Sequence, residues 1–316
     1  MSVQAGNLDV RAGAGTAAAS TRSRRRGFRS EGGAAFWFLL PSLLGFLAFL
    51  LLPLLASLAL SFTNWQLLSQ PKFVGLANYI RLFTVDPSFW HVLRNTVLYT
   101  VEYLVLNIVL ALGMAVWISS LRWGKRFFRL IFFLPTFTPM IGVSVVWLLI
   151  FTPGGLMDWI VGALGLPIPN FLVDPGWAMQ AIVIVSLWSG FGYNLLLFGA
   201  ALDSIPQTYL DAARIDGATP WQRFWRIKLP LISPTLFFGT VMTAITALQV
   251  FDQVYSMTRG GPGVATATLG FFIYQNGFTT YRMGYASSIA WVMFIIIMAL
   301  TALQFRLQRK WVHYDA

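Results

Sequence analysis

The chain has 316 residues, 57% of them hydrophobic and only 10% charged, with no cysteine and a formal net charge of +11. Soluble domains carry charge on roughly a quarter of their residues, so this composition excludes an ordinary globular protein and points to the bilayer. Having no cysteine and two scattered histidines, His91 and His313, it also excludes disulfides, thiolate nucleophiles and a histidine-cluster metal site.

Residues 1–33 are rich in Ala, Gly, Ser and Arg, with Arg22, Arg24, Arg25, Arg26 and Arg29 close together. They hold too little apolar surface to order themselves and read as a disordered, basic cytoplasmic tail. From Gly32 to Pro71 there is no charge at all, a run far longer than the ~7–15 residues of a secretory signal core, so it is a retained anchor. Span one is placed at 34–62, since a bilayer needs ~20 apolar residues per helix.

A mixed stretch with Trp65, Lys72, Arg81, Asp86 and Trp90 follows, suited to a loop with a short helix at headgroup level. Span two covers 91–119 and ends in a basic knot of Arg122, Lys125, Arg126 and Arg129. Span three, 130–151, contains Pro135 and Pro139, which should kink or unwind it where neighbouring protein or a cavity satisfies the freed carbonyls. A Gly/Pro-rich loop leads to span four at 177–202. After a charged island come span five at 231–254, a polar loop with the turn Gly260-Gly261-Pro262-Gly263, and span six at 284–305.

The fold class is therefore all-α: a polytopic membrane protein of six transmembrane helices, spanning 34–305, with a cytoplasmic loop at 203–230 and a cytoplasmic tail at 306–316. Seventeen of the 22 Lys and Arg fall on the side of both termini and the island, which places that side in the cytoplasm. Basic residues set between apolar spans fix topology, so the positive charge is no argument for nucleic acid.

The island has helix signals of its own. Ser204 with Gln207 forms a capping-box pattern around Pro206, predicting a helix over 206–215. Gly217 can end it in a left-handed backbone, and Thr219 with Gln222 repeats the capping pattern around Pro220. In the first helix Tyr209, Ala212, Ala213 and Asp216 are spaced to give a face of small residues for close approach of another surface. In the second, Trp221, Phe224 and Trp225 offer an aromatic flank.

Buried polar groups are functional candidates because hydrocarbon cannot solvate them. Glu102 lies roughly 16 Å into span two, with Asn107 about a turn beyond. Trp188 in span four sits beside Gly190 and Gly192, where the backbone can open, with Tyr193 and Asn194 just below. Gln249, Asp252 and Gln253 are spaced to share one face of span five. Amides, carboxylates and aromatic faces suit a neutral polyhydroxylated ligand. The competing reading is that each of these groups hydrogen-bonds a neighbouring span or partner.

The spacing Asp211-Ala212-Ala213, then Gly217, then Ile227-Lys228-Leu229-Pro230 resembles the shared loop motif of the inner-membrane permeases of ATP-binding-cassette importers, with Asp in place of its Glu. The run Val250-Phe251-Asp252-Gln253-Val254-Tyr255-x-Met257-Thr258-x-Gly260-Gly261-Pro262, and Met283-Gly284-Tyr285-Ala286-Ser287, look like the carbohydrate-uptake branch. The resemblance implies a permease in a bacterial-type plasma (inner) membrane, paired with a second homologous permease and two copies of an ATPase subunit. It implies a solute-binding protein on the far side and sugar as cargo. Asp211, Ala212, Ala213 and Gly217 would form the coupling helix seated in the ATPase. Any ATP and Mg would sit on that ATPase and no cofactor on this chain. There is no Gly-x4-Gly-Lys-Ser/Thr, and the one Gly-Lys pair, Gly124-Lys125, lacks the upstream glycine. A glycerol-3-phosphate or polyol permease of the same family, an ion-coupled secondary transporter and a membrane enzyme are the other readings. The last two lack the several intramembrane acids and the nucleophile, base and orienter that their chemistry needs.

Overall fold

The computed structural model describes residues 28–309 except residue 168, together with residue 312, and the side chains from residue 35 onward. Of the expected tail 1–33, residues 1–27 lie outside the described residues, and the chain is already helical from Phe28. Of the expected tail 306–316, only 306–309 and 312 are described. The chain divides into two compact units, Met1–Leu54 and Leu55–Ala316.

Among the described residues four helices are long and apolar enough to cross a membrane: α1 (Ala35–Ser61), α2 (Pro87–Ser120), α5 (Pro175–Asp203) and α10 (Met283–Gln308). Two helix pairs pass the same test of length and composition only when each is taken together across a short break. The first is Lys125–Phe137, whose α-helical part is α3 (Lys125–Phe133), with α4 (Met140–Phe151), bent by 99°; the second is α7 (Pro220–Leu231) with α8 (Ser233–Leu248), bent by 69°. Between the long helices lie α6 (Gln207–Ile215) and α9 (Leu269–Tyr274). Among the described residues no strand forms; Thr63 and Phe73 make an isolated bridge.

In the first unit the described side chains belong to α1, whose Trp37, Phe38 and Phe49 are exposed, as a lipid-compatible surface requires. The second unit is built on α2 and α5. Both start the same way: Asp86 and Asp174 each accept a bond from the backbone two residues on, at 3.0 and 2.8 Å, with proline in the first turn. Span two therefore begins at Pro87, not residue 91.

Two apolar clusters lie along this pair. One gathers Phe89, Tyr99, Ile182, Val185, Leu269 and Ile289; the other gathers Ala111, Ala115, Ile118, Leu195, Phe198 and Leu236. Water offers no hydrophobic drive between helices inside lipid, so close van der Waals contact has to hold them, and glycine makes it possible. A methyl group at Gly190 would collide with the Tyr103 hydroxyl, and one at Gly192 with the Phe132 carbonyl. The two glycines were expected to let the backbone open, but α5 runs unbroken through both. They serve contact instead.

The break in span three is sharper than a kink. Leu134–Phe137 winds as a 3-10 turn, and Pro139 precedes α4 in extended backbone. The Thr136 hydroxyl donates to the Ser189 carbonyl at 3.0 Å, tying the break to α5. Two prolines within five residues remove donors from the same turn, which no straight helix tolerates.

Candidate functional site

The expected span five, 231–254, ends early. The α8 helix stops at Leu248, Gln249 is its cap and Val250 and Phe251 are non-helical, so Gln249, Asp252 and Gln253 share no continuous helical face. The break nevertheless brings them together. They line one cavity of ≈ 250 Å³ with Thr246, Phe251, Tyr99, Tyr103 and Met140. Three of the twelve expected site residues thus meet around one space.

Its wall is held rigid. The Tyr99 and Tyr103 rings stack with centroids 5.7 Å apart and planes 3° from parallel. The Tyr99 hydroxyl donates to Ser186 Oγ at 2.8 Å, Gln253 Nε2 donates to the same oxygen at 3.1 Å, and Ser186 Oγ donates to the Ile182 carbonyl at 2.7 Å. One serine on α5 therefore fixes a tyrosine of α2 and an amide of the broken segment. The sequence reading missed both tyrosines. Their spacing, one turn apart and straddling Glu102, was the available signal.

Asn107 and Asn194 lie elsewhere, fully packed. Asn194 Nδ2 donates to Asn107 Oδ1 at 2.6 Å and to Thr243 Oγ1 at 2.7 Å, while Asn107 Nδ2 donates to the Tyr103 hydroxyl at 3.2 Å. Both asparagines are buried. They bind α2, α5 and α8 to one another and position Tyr103 from behind, touching no open space themselves. Glu102 lines a different cavity, of ≈ 440 Å³, with Arg94, Asn95 and Gln180. Trp188 and Tyr193 are exposed and line neither cavity; Trp188 packs edge-on against Trp147 at 5.9 Å.

The island forms helix, turn, helix as predicted, with one correction. Ser204 donates to the Ala201 carbonyl and Pro206 is the cap, so the first capping box does not form. The second does: Thr219 N–H donates to Gln222 Oε1 at 2.8 Å and Gln222 N–H to Thr219 Oγ1 at 3.3 Å. Gly217 has φ +76°, with Ala218 N–H donating to the Ala213 carbonyl at 2.9 Å and Gly217 N–H to Arg214 at 3.1 Å. That is a Schellman end, and it requires a left-handed residue. Asp211 accepts from Arg214 at 2.8 Å and Gln207 at 3.1 Å. Ala213 faces inward, whereas Tyr209, Ala212 and Asp216 lie on the surface and Ile215 is 87% exposed. The close-approach face therefore loses Ala213 and gains a bare isoleucine.

The expected polar loop 254–283 is a folded element. Its helix α9 buries Leu269, Phe271 and Phe272, and it is stitched to α2: Asn95 Nδ2 donates to the Val264 carbonyl at 2.7 Å and Leu269 N–H to Thr96 Oγ1 at 2.9 Å. Thr268 Oγ1 donates to the Val250 carbonyl at 2.9 Å, holding the end of the break that carries Gln249.

No group of three or more His, Cys, Asp or Glu able to hold a metal occurs among the described residues.

Residues 108–313 match the family described as "Binding-protein-dependent transport system inner membrane component". The chain is 34% identical over 302 residues to the probable ABC transporter permease protein YesP of Bacillus subtilis (strain 168), covering 94% of this chain and 97% of that one. It is 34% identical over 284 residues to the lactose transport system permease protein LacF of Rhizobium radiobacter, covering 86% and 93%. Its fold matches a chain of the bacterial alginate ABC transporter crystallised with an alginate pentasaccharide-bound periplasmic protein, at TM-score 0.80 and 21% identity, over 91% of this chain and 98% of that one.

Proposed function

This chain belongs to the binding-protein-dependent transport system inner membrane components, as a sugar ABC transporter permease, and from that premise we propose that it carries a neutral mono- or oligosaccharide through the Gln249 cavity and is driven through residues 209–230 by separate ATPase subunits. The observation that carries the coupling half is the exposed turn around Gly217, where the motif spacing coincides with a Schellman end and an unpartnered Ile215. A surface isoleucine beside Ala212 is what a protein groove would cover.

In this reading the chain pairs with a homologous permease above two ATPase copies, with both termini and the 209–230 turn in the cytoplasm. The excess of Lys and Arg on that side supports the orientation. ATP-driven closure of the ATPase pair would carry each turn with its groove. The two bent pairs, α3 with α4 and α7 with α8, are the natural joints for the cavity to change sides. Asp211 would hold the turn's charge in the groove, and the Asn107–Asn194–Thr243 knot would transmit movement of α8 to Tyr103. Gln249, Asp252 and Gln253 offer acceptors and donors to hydroxyls, and the Tyr103 and Phe251 rings offer flat apolar surface to sugar CH faces.

The test is co-purification with the partner subunits, then ATPase assays with loaded binding protein over a panel of mono- and disaccharides and glycerol-3-phosphate. Sugar-stimulated hydrolysis is expected. Solute accumulation in vesicles by the purified chain alone, without nucleotide, would overturn the reading.

A further inference from the structure

Two features of the Pro220–Leu231 segment remain outside this account. The first is an open apolar groove of ≈ 510 Å³ between α2 and α7. Val109, Leu112 and Val116 form one side, and Trp221, Phe224 and Trp225 form the other. The three aromatic rings brace one another edge-on, Trp221 to Trp225 at 5.4 Å and Phe224 to Trp225 at 5.3 Å. Trp221 is 70% exposed. Paired tryptophans beside an apolar trough are the side chains found where acyl chains meet headgroups.

The second feature is a cluster of cations. Lys228 is half-buried, with the like charges of Arg223, Arg214 and Lys125 around it. In this group only Arg214 has a carboxylate among the described residues, Asp211. The Arg223 Nε is buried with no hydrogen-bond partner among the described residues. Crowded cations beside a low-dielectric wall repel one another, and a buried guanidinium nitrogen without an acceptor loses its hydration for nothing in return. Among the described residues Lys228, Arg223 and Lys125 have no carboxylate within salt-bridge distance.

Groove and cluster belong to one short segment: Trp221 and Lys228 are seven residues apart, about 10 Å along a helix. Resting on the orientation given above, this is the cytoplasmic leaflet, whose lipids carry the negative charge. We propose that this segment is an anionic phospholipid site, with an acyl chain in the Val109–Trp225 groove and the phosphate held by Lys228, Arg223 and Lys125. The lipid sits directly behind the Gly217 turn. Its binding stiffens the segment that transmits ATPase movement into α8, so coupling depends on leaflet composition.

The assembled importer, extracted with native lipid, should retain phosphatidylglycerol visible by native mass spectrometry. Lys228→Gln and Arg223→Gln should each weaken that retention about fivefold. Gly113→Phe, whose added ring enters the groove from a position with nothing within 4 Å of its Cβ, should abolish it with all cations intact. Sugar-stimulated ATPase should be several-fold higher in vesicles of phosphatidylglycerol and phosphatidylethanolamine than in phosphatidylcholine alone, and the gap should close in the variants. Unchanged lipid retention in Lys228→Gln and Gly113→Phe overturns the assignment. So does saturable binding of inorganic phosphate at the cluster with no lipid retained, which makes it a free-anion site. Loss of the ATPase subunits or the second permease from Lys228→Gln or Gly113→Phe, with lipid unaffected, also overturns it, because the occupant is then protein. Absence of sugar-stimulated hydrolysis in every lipid, with lipid retention as expected, sinks the transport reading and leaves the lipid site standing.

Discussion

Two polar interruptions break the run of apolar helices after α5, and the structure treats them in opposite ways. Residues 204–231 stay on the surface: their helices satisfy their own ends through the Schellman turn and the Thr219–Gln222 box, and they leave Ile215 and Trp221 bare. Residues 249–282 fold back. Their α9 buries Leu269 completely, and Asn95 and Thr96 of α2 tie them down. The contrast teaches that polar composition shows only that a stretch does not face lipid. Whether it meets water or returns to the core depends on whether its backbone bonds close locally or need partners far along the chain.

The same substitution in both places tests the contrast most severely. Leu269→Asp places an unpaired charge in the core and should cost upwards of about 4 kcal/mol, read as loss of a folded transition in detergent. Ile215→Asp should change stability by less than about 0.5 kcal/mol while weakening association with the ATPase. Equal destabilisation by the two would erase the distinction.

Gly217→Asp comes next in size. Nothing lies within 4 Å of the position, so its φ of +76° alone resists a side chain, at ~1–2 kcal/mol. The protein should insert normally, while uptake in vesicles of the assembled importer falls to background and ATP hydrolysis uncouples from sugar. Normal uptake would mean the surface interruption is not the handle. For the folded-back interruption, Gln249→Ala should raise the apparent KM for sugar by up to about tenfold, the worth of one or two hydrogen bonds, with melting unchanged. A changed melting temperature with unchanged KM would make Gln249 a packing residue.

Asp211→Asn should have the smallest effect on the isolated chain. Its pair with Arg214 is half-exposed on both sides, and such pairs contribute less than about 0.5 kcal/mol. Any larger loss should appear only in the presence of ATPase, as lower affinity between subunits.

Much of this was legible in the chain. The proline pair at 135 and 139 marked the break in span three, the Thr219–Gln222 spacing marked a cap, and Gly217 marked a left-handed end. Each rests on a residue's own backbone preference, which needs no distant partner. Ser204 misled because Pro206 took the cap position two residues on. The candidate site was legible in part: Gln249, Asp252 and Gln253 do meet, though through a helix break and not along a face.

The sequence by itself determined that the chain lies in the membrane, that its third apolar stretch breaks at Pro135 and Pro139, and that Gly217 and Thr219 mark a helix end and a helix start, because hydropathy, proline, glycine and capping residues act over a few neighbours. Tertiary structure alone decided that Tyr99 and Tyr103 wall the cavity, that Asn107 and Asn194 are buried fasteners and that Glu102 faces a separate space. Those outcomes depend on how α2 is turned against α5. That rotation is set by contacts such as Tyr103 on Gly190, between residues 87 positions apart, and no local pattern encodes it.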